Sequence, residues 1–368
     1  MTEIRPETVF ATFERTALRS PKREFLMVMP DTAKVYGIPS GPITYDVAYN
    51  DVQARFSAFE QAGYERGMRI ALLLENRPDY FLIWLALNRL GVSVVPINPD
   101  LRKSELTYLI GHSEAALIVA IPSRHDELRT AAHATGLSIP IIGPKDSIPA
   151  PAGGGIVADI LQGEAQEAAL LYTSGTTGHP KGCVLPNTYF LLAGEWYHNA
   201  GGLAQLHDTG ERMITPLPIF HMNAMAYSFM AMVTVGGCLI ALDRFHPKTW
   251  WSDVKLSGAT CLHYLGVMPT MLMLIAPSSE DKKHSVRFGF GAGIDPKIHQ
   301  AFETRFGIPI VEAWAMTETG AGAVIAANTD NRLIGQSSLG TPTADISCKI
   351  VDEVGQKVPP NTPGELWV

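Results

Sequence analysis

The segment Leu171-Tyr-Thr-Ser-Gly-Thr-Thr-Gly-His-Pro-Lys-Gly182 concentrates groups that can hold an oxyanion. Thr173, Ser174, Thr176 and Thr177 supply hydroxyl donors and Lys181 an ammonium. Gly175 and Gly178 carry no Cβ, so backbone N–H groups can approach a ligand closely. The ligand that suits such a surface is phosphate. Better-known phosphate patterns are absent. Five residues past Gly175 stands Pro180, which excludes a GxxxxGK loop. Gly289-Phe-Gly291-Ala-Gly293-Ile294 starts like GxGxxG but lacks the last glycine. No serine sits in GxSxG, HExxH does not occur, and protein-kinase signatures are missing.

The elements that must position this loop read as alternating strands and helices. Val52, Phe56 and Phe59 mark one face of a helix that Gly63 ends. Ile70–Leu74 reads as a buried strand, and Pro78–Leu90 as an apolar helix with proline at its start and Gly91 past its end. Val92–Ile97 and Leu117–Ala120 read as strands. Leu101–Ile110 and His125–Thr135 read as helices, the second stopped by Gly136. Pro144–Gly155 is a loop, and Ala168–Tyr172 is the strand that feeds the phosphate loop. This alternation means βαβ units and an α/β fold with mostly parallel sheets. A second alternating run reaches about Ala327. Ser337–Val368 has the texture of short β-runs, Ile346–Val351 and Glu365–Val368, broken by Gly355, Pro359-Pro360 and Pro363-Gly364.

Bulk properties narrow the function classes. The 368 residues exceed what one core usually holds, so two or more subdomains are expected. A net charge of −7 without a basic run argues against nucleic acid as partner. Cys183, Cys238, Cys261 and Cys348 show no CxxC spacing, so a zinc or redox motif is not indicated. Few cysteines and no signal-peptide core in Met1–Arg15 fit a cytoplasmic protein. Met225–Leu242 carries no charge over 18 residues, at the lower limit for a membrane span. Gly236-Gly237 interrupts it, so we read a buried helix, a turn and a buried strand, with no membrane partner.

With its surroundings, the phosphate loop resembles that of the adenylate-forming superfamily: acyl-CoA synthetases, nonribosomal-peptide adenylation domains and beetle luciferases. Tyr172–Gly182 resembles the family's phosphate loop, and Pro216-Leu-Pro-Ile-Phe-His221 its proline-to-histidine segment. Glu312-Ala-Trp-Ala-Met-Thr-Glu318 resembles its aromatic-Gly-x-Thr-Glu motif, and Gly364-Glu-Leu-Trp-Val368 the segment that leads into its β-barrel. Asn76-Arg-Pro78 and Gly91–Pro99 follow the family rhythm. Arg244–Trp250 and Ala259–Met271 resemble the carnitine/crotonobetaine-CoA ligase branch.

The resemblance implies an α/β fold of two βα-layered subdomains with mostly parallel sheets, plus an incomplete β-barrel subdomain at the C-terminal end. Residues 51–200 would form the first subdomain, 1–50 with 201–327 the second, and 328–368 the start of the barrel. It implies an ATP-dependent carboxylic acid–CoA ligase. The substrate carboxylate attacks the α-phosphorus of ATP, pyrophosphate leaves, and coenzyme A then displaces AMP. Thr173, Ser174, Gly175, Thr176, Thr177, Gly178 and Lys181 would hold the β- and γ-phosphates. Thr317 would donate to the α-phosphate, and Glu318 would bind Mg²⁺. Gly291, Ala292 and Gly293 would form the adenine loop, with Glu312 and Ala313 beside it and Trp314 stacked on the base where the family usually has tyrosine. Ala315 stands where glycine is usual. His221 would lie between the acyl pocket and the thiol channel. Met222, Asn223, Gly266 and Val267 are acyl-pocket candidates by neighbourhood.

The family also has an aspartate on the ribose, an arginine near the phosphates, a hinge and a small C-terminal domain carrying the adenylation lysine. The expectation is therefore a large N-terminal domain without that small domain, poorly active by itself, with an unpaired barrel edge that could support a homodimer. The competing readings are an adenylation domain that loads a carrier-protein thiol, and a nucleotide-binding module without catalysis.

Overall fold

The computed structural model describes residues 7–153, 161–173, 180–320, 324–343 and 346–368. Two sheets organise it. The smaller has the strand order Ile141–Ile142, Ala115–Ala120, Arg69–Leu73, Ser93–Pro96, Glu167–Thr173, Lys181–Pro186. Its pairings are parallel except the last, where Lys181–Pro186 turns back antiparallel on Glu167–Thr173. The larger has nine strands, and five parallel pairings join Glu24–Val28, Cys238–Ala241, Arg212–Thr215, Cys261–Leu265, Phe288–Ala292 and Ile310–Trp314. Antiparallel strands close both edges: Gly41–Thr44 on one, Ile325–Ala326 and Thr341–Pro342 on the other.

Alternation along the strands explains why helices cover both faces. In Arg69–Leu73, Ile70 and Leu72 face the layer between the sheets, while Ala71 and Leu73 face the opposite side. On that opposite side lie the helices Lys103–Ser113 and His125–Ala134, through Leu106, Leu109, Ile110, Leu128 and Ala131. The middle layer contains the helices Val9–Arg19, Pro78–Leu90, Asn187–Asn199 and Phe229–Val235. Trp84 is its centre, with Phe190 at 5.0 Å and Phe229 at 5.3 Å between ring centroids. Buried amides cross-link the layer: Asn187 Oδ1 accepts from Val9 N and Asn88 Nδ2, and Asn88 Oδ1 accepts from Phe10 N.

Local signals set the ends of these elements. Pro78 opens its helix, and Gly91 closes it at φ +85°, where other residues would be strained. Gly236 does the same at φ +67° after Val235, and the chain-reversed strand Cys238–Ala241 follows. Met225–Leu242 is thus a buried helix, a turn and a buried strand, and among the described residues no helix is long and apolar enough to cross a membrane. One feature departs from the expected helix: Asn223–Ser228 is a π-turn. Such turns arise where side chains insert against the helix and are frequent at functional sites. Near the C-terminus, Lys349–Val351 and Glu365–Trp367 pair antiparallel, and no closed barrel is present among the described residues.

Candidate active site

Parallel α/β sheets present their ligand sites at the carboxyl ends of the strands. Thr173, Gly266, Ala292 with Gly293, and Trp314 all stand at such ends. Thr173 and Lys181 face each other across the hairpin at its last paired position. Ser174, Gly175, Thr176, Thr177 and Gly178 lie outside the described residues. The Lys181 side chain is exposed and makes no ion pair or hydrogen bond among the described residues. Thr173 Oγ1 donates to Glu318 Oε1 at 3.0 Å. The hairpin of the smaller sheet and the turn leaving the larger sheet therefore meet across one cleft, although 145 residues separate them.

Glu312 is buried, at 3% exposure. A buried carboxylate needs donors, and Glu312 Oε1 accepts from Tyr264 Oη at 2.6 Å and from Ile294 N at 3.1 Å. One oxygen thereby ties together three strand ends: Cys261–Leu265, the loop after Phe288–Ala292, and Ile310–Trp314. The backbone there is crowded. A Cβ on Gly291 would stand 2.1 Å from Tyr264 O, and one on Gly266 would stand 1.7 Å from Gly293 O. Gly293 itself holds φ +81°. Only glycines permit this approach, and neither Gly291–Gly293 nor Trp314 lines either of the two cavities beside the Thr317–Gly320 turn. Trp314 and Ala315 are half-buried beside the loop, with Ala313 buried behind.

Two cavities flank the Thr317–Gly320 turn. One of about 670 Å³ is lined by Thr173, Pro180, Thr317, Phe220, His221, Met222 and, from the smaller sheet, Asn98, Asp100, Arg102 and Glu105. The other, of about 650 Å³, is lined by Glu195, Trp196, Asn199, Thr319, Gly320 and Asn328 among others. Glu318 itself is exposed at the cleft. Mg²⁺ commonly uses one or two carboxylates and completes its shell with water and substrate phosphates. An exposed Glu318 beside Thr173 is a carboxylate of that kind. Among the described residues no group of three His, Cys, Asp or Glu side chains converges on a metal position, so phosphate and water would have to supply the remaining ligands.

The segment carrying His221 is fixed by a residue outside it. Asn76 is buried; its Nδ2 donates to Leu217 O and Leu242 O, and its Oδ1 accepts from Ile219 N. His221 lines the larger cavity with its ring 4.6 Å from Phe220. Partial burial lowers its pKa, although the residue is exposed at the cavity. Met222 lines the same cavity, whereas Asn223 is turned inward: its Oδ1 lies 2.8 Å from Nδ1 of the fully buried His263. Val267 is exposed on the following helix, and Gly266 makes the close approach to Gly293. Thr173 and Glu318, both expected at the site, meet, whereas Asn76, His263, Tyr264 and the Asn98–Glu105 wall carried no expected site role. The signal for Asn76 and His263 was a polar residue inside an otherwise apolar strand or strand exit.

The model of the AMP-binding enzyme family matches residues 13–368. A sulfoacetate–CoA ligase of Cupriavidus necator is 27% identical over 371 residues, covering 98% of this chain and 69% of that protein. A crotonobetaine/carnitine–CoA ligase of Salmonella arizonae is 27% identical over 359 residues, covering 92% of this chain and 67% of that protein. A benzoate CoA ligase from Burkholderia xenovorans LB400 shares the fold, with a TM-score of 0.81 at 18% identity over 98% of this chain and 70% of that one. The family match over nearly the whole chain shows that the protein belongs to the AMP-binding family of adenylate-forming enzymes, and CoA ligases are among its relatives.

Proposed function

We propose that this chain provides the adenylating site of a carboxylic acid–CoA ligase. The observation that carries the reading is the 3.0 Å contact between Thr173, the residue just before the glycine- and hydroxyl-rich motif, and Glu318, the only carboxylate of the Trp314–Glu318 segment. In this reading the hydroxyls and Lys181 hold the β- and γ-phosphates of ATP, and Glu318 holds Mg²⁺. The metal would supply charge neutralisation between the phosphates. Thr317 donates to an α-phosphate oxygen, and Trp314 covers the base against the Gly291–Gly293 backbone. The acid's carboxylate oxygen attacks the α-phosphorus as the bond to pyrophosphate breaks. Both reactants are anions, so most of the barrier is electrostatic and positional. In the second step the sulfur of coenzyme A adds to the acyl carbonyl and AMP departs. A neutral His221 would bring no positive charge to this cavity and could accept a proton there.

The two sheets, one built from residues 69–186 and the other from segments before 45 and after 211, support reading 51–200 and 1–50 with 201–327 as two subdomains. Residues 328–368 would then begin a third. Acid-dependent ATP–pyrophosphate exchange tests the proposal, with a panel of short-chain, aromatic and betaine-type acids. Exchange should be measurable, should require Mg²⁺, and should fall about 10²-fold in Glu318→Gln. Exchange that survives Glu318→Gln unchanged, or tight ATP binding with no acid ever activated, refutes it.

A further inference from the structure

His263 lies in the middle of the strand Cys261–Leu265, with 0% exposure, and none of the roles above uses it. Three side chains surround its ring nitrogens. Tyr197 Oη lies 2.5 Å from Nε2, Asn223 Oδ1 lies 2.8 Å from Nδ1, and Ser228 Oγ lies 2.7 Å from Nδ1. The proton positions follow from what each partner can do. Asn223 Oδ1 only accepts, and the Ser228 hydroxyl already donates to Asn223 O at 3.3 Å. Nδ1 must therefore carry the hydrogen, shared between Asn223 Oδ1 and Ser228 Oγ. Nε2 is then the acceptor for the Tyr197 hydroxyl. Every polar atom of the ring is satisfied in this one neutral tautomer, and burial holds the imidazole pKa at about 3, in keeping with it.

The partners are not scattered. Asn223 and Ser228 are the first and last residues of the π-turn. That turn begins directly after His221 and Met222, which line the 670 Å³ cavity, and Met225 N donates back to His221 O at 3.0 Å. Tyr197 follows Trp196, which lines the other cavity. His263 thus clamps both ends of an irregular turn and joins it to the helix Asn187–Asn199. A π-helix is rare and here only six residues long, so a side-chain clamp on both its ends can decide where its N-terminal neighbours sit.

We propose that His263 is a positioning residue: its clamp on Asn223 and Ser228 fixes the π-turn, and so places His221 and Met222 for recognition of the acid rather than of ATP. The inference rests on the ligase reading, but one of its tests does not. His263→Phe keeps a ring in the space and removes both nitrogens. His263→Asn keeps a donor where Nδ1 stands. Tyr197→Phe removes a single hydroxyl, so it remains informative if a variant at 263 does not fold. In peptide-level hydrogen exchange, His263→Phe should speed exchange at least roughly threefold in peptides covering 219–230 and leave those covering 69–73 and 310–314 unchanged. His263→Asn should restore most of the protection. In steady-state exchange assays His263→Phe should raise KM for the acid about tenfold and KM for ATP less than about twofold. Tyr197→Phe should show a smaller shift of the same kind. Uniform loss of protection, equal effects on both substrates, or no change in 219–230 overturns the proposal. Failure of the wild-type chain to activate any acid would count against the ligase reading, while the hydrogen-exchange pattern would still decide whether His263 holds the turn.

Discussion

Replacing Gly266 by alanine places one methyl group where the fold has no room. The added Cβ would stand 1.7 Å from Gly293 O, against a floor of 3.0 Å for real contacts, so something must move by about 1.3 Å. The opposing atom is backbone, not the end of a flexible side chain. Gly266 has ordinary helical angles, φ −52° and ψ −28°, so alanine introduces no backbone strain and the contact alone is tested. The part free to yield is the loop after Ala292, which Glu312 holds through Ile294 N. Overpacking of this size costs about 1–3 kcal/mol of stability. Displacing a substrate-positioning wall by about 1 Å costs on the order of 10²-fold in rate. We expect Gly266→Ala to melt a few degrees lower, to bind ATP at least roughly tenfold more weakly by calorimetry, and to lose about 10²-fold in ATP–pyrophosphate exchange. Gly153→Ala is the control, because a Cβ there meets nothing within 4 Å. If Gly266→Ala binds ATP like the wild type while its melting temperature falls, the Gly266–Gly293 approach is a packing feature and not a wall of the nucleotide slot.

Two further outcomes follow from buried polar groups. Asn76→Ala removes three hydrogen bonds and leaves Leu217 O, Leu242 O and Ile219 N without this partner; urea unfolding should show a loss of about 3 kcal/mol, and a loss under about 0.5 kcal/mol would mean that another donor replaces the amide. His263 gives a pH dependence of defined sign. The unfolded chain takes up a proton at this residue below its ordinary pKa of 6.5, while the folded chain refuses it down to about 3. The His263 share of stability is therefore complete above pH 6.5 and falls by about 1.4 kcal/mol per unit as pH drops through that window. Denaturation of His263→Phe between pH 7 and 4 should show a shallower slope than wild type, and parallel slopes would contradict the neutral, buried assignment.

The local elements were legible because each rests on near-neighbour chemistry. Pro78 and Gly91 bound their helix, Gly236 breaks the apolar run after Val235, and the Ala168–Tyr172 run is the core of the strand Glu167–Thr173. The glycine- and hydroxyl-rich motif was conspicuous for the same reason, since its glycines, hydroxyls and lysine are contiguous, but residues 174–179 lie outside the described residues and its hold on phosphate is a proposal. What periodicity could not supply was the partner of each buried polar side chain. Asn223 reads as a neighbour of His221 and therefore as a pocket residue, yet its side chain is spent on His263, 40 residues away. Glu312 reads as a ligand-side carboxylate by its place beside Trp314, yet it is 3% exposed and binds Tyr264 and Ile294.

The sequence by itself determined where the strands and helices run, that the sheets are mostly parallel, and that a glycine- and hydroxyl-rich turn leaves one strand end. Backbone propensity, alternation and turn chemistry act over a few residues and are written in order along the chain. Only the tertiary structure decided that Thr173 meets Glu318, that Asn76 anchors the His221 segment, and that His263 closes the π-turn. Those choices depend on which distant donors and acceptors are left to one another once water has been excluded, and that is settled when the two sheets pack around their shared layer of helices.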